Sequence, residues 1–328
     1  MSVHRIAVLG AGAWGTALAL HMARCGHQVA LWAHRAGHAE AMTRDGENRR
    51  YLPGHSFPDN LTVTATLEEA VAEADGVLIA VPSHAFAELV AQLAALPRPE
   101  HLAWATKGFD LPSGRMLHEV VAEALDSPPC AVISGPTFAE EVAAGLPTAM
   151  VSASEDAEEA QWWAKVLHHH LFRVYTQDDV IGVEVGGACK NVMAIAAGVS
   201  DGLGMGANAR AALISRALAE MMRLGVALGA RADTFMGLTG VGDLVLTCTD
   251  EKSRNRRFGL QLARGEVGEV GGVVEGMRAA EAVHRKARAH GLELPIAEQV
   301  YAVIRGERTP QEAVTCLFER DLKAERLV

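Results

Sequence analysis

Lys190 is the one cation in a mostly apolar stretch of helical character, EVGGACKNVMAIAAGV, residues 184–199. Gly186, Gly187, Ala194 and Ala197 stand three, four or seven residues from it and share its helical face. Nothing bulky therefore screens the ammonium from an approaching group. A buried ammonium must be paired, shifted in pKa or turned to a polar cleft. The same window also fits a lysine that runs its stem along apolar surface to reach water, so the residues alone leave two readings open. Farther along, Asp243 and Thr247 are four apart in GLTGVGDLVLTCTD and share a face if that stretch is helical. Ser253, Arg254 and Asn255 follow one another in KSRNRR. Guanidinium and amide donors in that order match the oxygens of a phosphate, although the run also reads as a solvated basic loop. Val273-Val274-Glu275-Gly276 sets one carboxylate, Glu275, beside glycine, in reach of a ribose or an amide.

A second chemistry opens the chain. Residues 5–10, RIAVLG, are an apolar run suited to a buried parallel strand. Gly10, Gly12 and Gly15 then form G-x-G-x-x-G ahead of TALALHMARCG, which has helical periodicity. Strand, glycine turn and helix together are the context of a dinucleotide site. The first glycine allows the tight turn, the second admits the pyrophosphate, and the third lets helix and strand pack closely. The next strand, HQVALWA, ends in Ala33-His34-Arg35, with no Asp or Glu for a ribose hydroxyl pair. A basic pair there suits the 2′-phosphate of NADPH and leaves NADH open, while Arg35 also reads as a solvated loop cation.

These side chains need a scaffold, and the periodicities supply one. Apolar runs at 61–65, 76–82, 101–106, 130–136, 147–154 and 171–176 read as further strands, with helices between them and a turn-rich loop over 45–60. Lys107 follows the strand 101–106, in place for a phosphate or substrate or else as an exposed loop lysine. Gly135 and Thr137 follow the strand 130–136, where Pro136 suits a first helical turn leading to Ala139. His84, after the strand 76–82, reads more readily as structural than catalytic. The His168-His169-His170 run lacks metal-ligand spacing, and no metal site is expected. After Asp178 strand patterns stop, and 180–200, 207–225 and 274–291 read as helices. The expected fold class is α/β: a Rossmann-like doubly wound sheet in a dinucleotide-binding domain (1–180), then an all-helical substrate-binding and catalytic domain (181–328).

Bulk composition narrows the function. A chain of 328 residues exceeds the size at which one core keeps growing, so two domains are expected. Its net charge of −10 disfavours nucleic acid or an anionic membrane surface as partner. Five dispersed cysteines without a C-x-x-C pair suggest reduced thiols, and no signal peptide or membrane-spanning run is read, so a cytoplasmic location is expected.

The blocks GAGAWGTALA (10–19), YLPG (51–54), VPSHAF (81–86), ATKG (105–108), SGPTFAEEV (134–142), KNVMAIAAGVSDGLGMGANARAALI (190–214), GDLVLTCTDEKSRNRRFG (242–259) and VVEG (273–276) resemble the bacterial-type NAD(P)-dependent glycerol-3-phosphate dehydrogenases. Departures are slight and remove no functional group: Cys189 stands where an aliphatic residue is usual, and Gly187 and Thr239 vary small positions. The resemblance implies Lys190 as proton donor and acceptor with Asp243 beside it. Lys107, Gly135, Thr137, Ser253, Arg254 and Asn255 would hold the substrate, dihydroxyacetone phosphate or sn-glycerol 3-phosphate. Ala13, Trp14, His34, Arg35, Lys107, Ala139, Arg254, Val273 and Glu275, with the three glycines, would hold NADPH by preference, or NADH. It also implies a homodimer and a role in glycerophospholipid synthesis. Two other readings stay open: a nucleotide-sensing regulatory protein without turnover, and a lysine-dependent reductase of phosphate-free hydroxyacids.

Overall fold

The structure is a computed structural model that describes residues 2–266 and 275–319. The chain divides into two compact units. The first takes in 1–107 and 117–180; the second takes in 181–328 together with 108–116, which lies inside the range expected for the first domain.

In the first unit the elements alternate: β1 (Arg5–Leu9), α1 (Ala13–Arg24), β2 (Gln28–Trp32), α2 (Ala36–Asp45), β3 (Leu61–Thr64), α3 (Leu67–Val71), β4 (Gly76–Ile79), α4 (Phe86–Leu93), β5 (His101–Trp104), α5 (Leu117–Leu125), β6 (Cys130–Ser134), α6 (Ala139–Ala143), β7 (Thr148–Ala153), α7 (Ala157–Leu167) and β8 (Phe172–Gln177). All eight expected strands form and join in one sheet, in the order β3-β2-β1-β4-β5-β6-β7-β8. The central strands are apolar throughout because helices cover both faces, and Ile6, Val8, Leu78, Ala103 and Ile133 are buried. Edge strand β8 instead buries only Phe172 and leaves Arg173, Tyr175 and Thr176 exposed. Every neighbouring pair is parallel except β6 with β7, which runs antiparallel with Val132 opposite Ala153.

The described part of the second unit is helical: α8 (Val180–Gly202), α9 (Gly206–Ala227), α10 (Asp243–Thr249), α11 (Arg254–Arg264), α12 (Glu275–Ala289), α13 (Pro295–Ile304) and α14 (Pro310–Phe318). A 3-10 turn at Ala232–Met236 and a π turn at Leu238–Gly242 lead into α10. Helix α8 has the length and hydropathy of a membrane span, yet 94% of its apolar window is buried within the protein. It is the core of this unit, packed among Phe235, Leu244 and Phe258. Glycines set its closest contacts. A Cβ on Gly198 would lie 2.0 Å from the Arg256 carbonyl oxygen, and one on Gly259 of α11 would lie 2.1 Å from the Ile195 oxygen. Helices α8 and α11 therefore touch backbone to backbone.

Candidate active site

The glycine turn of the first unit has the geometry its spacing predicts. Gly10 has φ +124°, and a Cβ there would come within 2.8 Å of the Ala80 backbone at the end of β4. A Cβ on Gly15 would fall 1.9 Å from the Gly10 oxygen, which explains why α1 and β1 can approach so closely. Gly12 differs: a Cβ there would meet nothing within 4 Å. It is the N-cap of α1, with no side chain capping the helix and no acidic residue in its first turn. Next to it, the indole Nε1 of Trp14 is buried without a hydrogen-bond partner. Backbone donors at an uncapped helix start, beside an open glycine, suit the oxygens of a pyrophosphate.

His34 and Arg35 are exposed just beyond β2, and the Arg35 Nε donates to His34 Nε2 at 3.1 Å. Lys107 and Gly135 come together after β5 and β6, with Lys107 Nζ donating to the Gly135 oxygen at 3.1 Å. The Thr137 hydroxyl donates to the same oxygen at 3.3 Å. Gly135 has φ +153°, and a Cβ there would sit 3.0 Å from the Ala149 oxygen of β7. Pro136 departs from expectation, because α6 begins only at Ala139 with Phe138 as its N-cap. Three residues, Pro136, Thr137 and Phe138, thus form a bend before the helix rather than its first turn. His84 is exposed in a 3-10 turn at Ser83–Ala85.

In the second unit Lys190 lies on α8, 7% exposed, and its Nζ is 2.5 Å from Oδ1 of Asp243, which is fully buried. The π turn makes this pairing. A Cβ on Gly186, one helical turn before Lys190, would sit 2.3 Å from the Thr239 oxygen. The bare glycine lets that turn lie on α8 and deliver Asp243 as the first residue of α10. Asp243 and Thr247 do share a helix, and the Thr247 hydroxyl donates to the Asp243 carbonyl at 2.6 Å, with Oδ1 3.4 Å away. Cys248, also buried here, has its thiol pushed up to about 12 by burial, so it is no nucleophile at neutral pH.

Ser253 is the N-cap of α11 and its hydroxyl accepts from the Arg256 N–H at 3.3 Å. Arg254 begins the helix and is exposed. Asn255 is buried, donates from Nδ2 to Asn191 Oδ1 at 2.9 Å, and accepts from the Gly276 N–H at 3.0 Å. Asn191, next to Lys190, was not singled out by the sequence reading; nothing in the spacing tells that its partner lies 64 residues on. Gly276 follows Glu275 at the start of α12, so Glu275 is fixed close to the same cluster. Val273 lies outside the described residues. Arg256 is bound through Nε and Nη2 to Asp201 at 2.9 and 2.6 Å, and Asp201 also pairs with Arg210 at 2.8 Å.

Comparison with known proteins gives the family. Sequence models of the NAD-dependent glycerol-3-phosphate dehydrogenase N-terminus and C-terminus match residues 5–160 and 179–315. The chain belongs to the NAD-dependent glycerol-3-phosphate dehydrogenase family. Among its relatives, the glycerol-3-phosphate dehydrogenase [NAD(P)+] of Hydrogenovibrio crunogenus is 55% identical over 331 residues, 98% of this chain and 96% of that protein. The enzyme of that name from Stenotrophomonas maltophilia is 52% identical over 328 residues, 98% and 96% of the two chains. The crystal structure of glycerol-3-phosphate dehydrogenase from Coxiella burnetii superposes with a TM-score of 0.93 at 46% identity, covering 97% of this chain and 99% of that one. For a member of the glycerol-3-phosphate dehydrogenase family the cofactor is NADPH or NADH, and the glycine turn fits that group. Gly12 leaves room for it, the first turn of α1 offers N–H donors, and Trp14 offers an unsatisfied indole N–H.

Proposed function

We propose that this chain reduces dihydroxyacetone phosphate to sn-glycerol 3-phosphate, with NADPH preferred over NADH, and that Lys190 is its general acid and base. The observation that carries the reading is the buried Lys190–Asp243 pair at 2.5 Å. The nicotinamide, when bound, supplies the hydride that C2 of the substrate receives. The negative charge that then develops on the C2 oxygen needs a proton and a compensating cation. Lys190 meets both needs: its ammonium stabilises the oxyanion, gives up the proton, and regains one from solvent afterwards. Asp243 holds the amine charged and aimed, against the effect of burial, which favours the neutral form. In the reverse direction the neutral amine takes the alcohol proton.

Ser253, Arg254 and Asn255 would bind the substrate phosphate, so that binding energy remote from C2 orients the reacting carbon. The Asn191–Asn255–Gly276 hydrogen bonds support this assignment, since they join the clamp to the residue beside Lys190. Lys107, Gly135 and Thr137 would also contact the substrate. Gly10, Gly12, Ala13, Trp14, Gly15, His34, Arg35, Lys107, Ala139, Arg254, Val273 and Glu275 would hold the dinucleotide, with His34 and Arg35 reading the 2′-phosphate. In this reading 1–180 is the dinucleotide-binding domain and 181–328 the substrate-binding and catalytic domain. The enzyme works as a cytoplasmic homodimer that supplies glycerophospholipid synthesis.

The test follows nicotinamide absorbance with dihydroxyacetone phosphate, using NADPH and NADH in parallel. Turnover is expected with both and faster with NADPH. Arg254→Ala should raise KM for dihydroxyacetone phosphate by roughly 10- to 100-fold, the scale of a lost charge-assisted hydrogen bond. Cofactor binding without turnover would favour a nucleotide sensor, and an unchanged KM in the variant would favour a phosphate-free substrate.

A further inference from the structure

We infer that Asn48 is a positioning residue for the cofactor, acting through the carbonyl of Ala11 inside the glycine turn. The loop between α2 and β3 is rich in turn formers, yet it holds one fully buried polar side chain, Asn48. Its Nδ2 donates to the Ala11 oxygen at 3.0 Å and to the Thr16 hydroxyl at 2.8 Å. Its Oδ1 accepts from the Tyr51 N–H at 3.3 Å. Ala11 O can only accept, so the orientation of the amide is settled by chemistry: the nitrogen faces the turn.

The loop that presents Asn48 is closed on itself. Leu52 N–H donates to Asn48 O at 2.8 Å, Gly54 N–H to a Glu47 oxygen at 2.9 Å, and Phe57 N–H to Gly46 O at 2.7 Å. Leu52 is buried against the core of this unit. The amide is therefore held from a fixed frame rather than from a mobile surface segment.

The consequence follows from peptide geometry. In a planar trans peptide the C=O of Ala11 and the N–H of Gly12 point in opposite directions. Pinning the oxygen towards Asn48 turns the Gly12 N–H the other way. That is the donor at the open glycine where the pyrophosphate of the cofactor is expected. Four residues after Gly12, in α1, the bond to Thr16 ties the same amide to the helix whose N-terminus faces the anion. Asn48 touches neither substrate nor the reacting atoms. Its effect is to keep a donor aimed before the cofactor arrives, so the cost of ordering the turn is not drawn from binding.

Calorimetric titration of the full-length protein with NADP+ and NAD+ tests this. Asn48→Ala should weaken both cofactors by about tenfold, the scale of a lost buried hydrogen bond with its acceptor left unpaired. At saturating cofactor kcat and KM for dihydroxyacetone phosphate should stay within about twofold, a split that loose folding alone does not produce. Asn48→Asp has nearly the same shape but faces the carbonyl with an acceptor when ionised. Its affinity for NAD+, which has no 2′-phosphate to titrate, taken relative to the unmodified protein at the same pH, should be poorest at pH 8 and recover toward pH 5.5, where a protonated carboxyl can donate. Should Asn48→Ala fail to fold, the pH profile of Asn48→Asp decides alone. Unchanged Kd in Asn48→Ala, or a pH-independent Asn48→Asp, overturns the assignment. An unmodified protein that binds neither cofactor would instead overturn the cofactor reading itself.

Discussion

Lys190 is 7% exposed and its amine meets the carboxylate of the fully buried Asp243. Taking two ions out of water costs several kcal/mol each, and their attraction in a dry interior returns this only at close range. Under the proposed mechanism the pair ties catalysis to stability, and a single substitution confounds the two. In Lys190→Ala, kcat should fall by about 10²–10⁴, the usual scale for a lost acid or base, with cofactor affinity little changed. The same variant takes the cationic partner from a carboxylate with no exposure at all, which should destabilise the protein by about 3–5 kcal/mol. Lys190→Met combined with Asp243→Asn separates the effects, because it removes both charges. Thermal melts of the double variant should recover most of the stability lost in the single one, while steady-state assays stay at the low rate. A double variant as unstable as the single one would mean that the pair is not the source of the loss. A Lys190→Ala enzyme with near-normal kcat would remove Lys190 from the mechanism.

At the scale of elements, what the sequence made legible and what it hid divide by the range of the interaction. The glycine turn was legible because its three glycines act within six residues. The strands were legible because each carries its own apolar run. The direction of β7 was not, since an apolar run reads the same for either direction of pairing. Nor could spacing show that Gly186 admits the π turn, or that Gly198 and Gly259 are meeting points of α8 and α11. Such glycines look the same in sequence as any small residue on a helix face. The structure makes Gly259 specific. A methyl there would fall 2.1 Å from the Ile195 oxygen and 2.9 Å from the Val199 nitrogen, both backbone atoms that cannot swing aside. Gly259→Ala should therefore cost on the order of 1–3 kcal/mol, although alanine is the better helix former. It should also push α11 from α8, moving Ser253, Arg254 and Asn255 relative to Lys190. The expected signature is a lower Tm together with a raised KM for dihydroxyacetone phosphate. A stabilised variant would show that the two helices have slack.

Across the whole molecule, the two units carry buried groups that titrate in opposite senses. In the first, burial between α1 and α7 lowers His21 to about 4, against a hydrogen bond to the Leu167 carbonyl that favours the charged ring. The folded state then binds fewer protons than the unfolded chain between about pH 6.5 and 4. This contribution is fully present above 6.5 and is lost as pH falls to 4. In the second, Glu220 of α9 accepts from the N–H groups of Ile296 and Ala297 at the start of α13, at 2.7 and 3.1 Å. Burial outweighs those two donors and raises the carboxyl from 4.5 to about 7, with Arg223 opposing the shift and Glu298 adding to it. The folded state now binds more protons than the unfolded chain. The contribution is complete below pH 4.5 and is lost as pH rises to about 7, on the order of 3 kcal/mol over the window. Glu220→Gln keeps the shape and cannot ionise. It gives up one of two acceptors, a loss that does not depend on pH. Scanning calorimetry of both proteins from pH 5 to 8 should show the unmodified enzyme's lead in Tm shrinking as pH rises toward 7 and then levelling off. The acid limb, set by His21, should be the same in both. A lead that widens with pH would mean that the two backbone donors hold the carboxylate ionised more strongly than burial opposes it, and that Glu220 acts as a charged cap for α13 at every pH the enzyme meets.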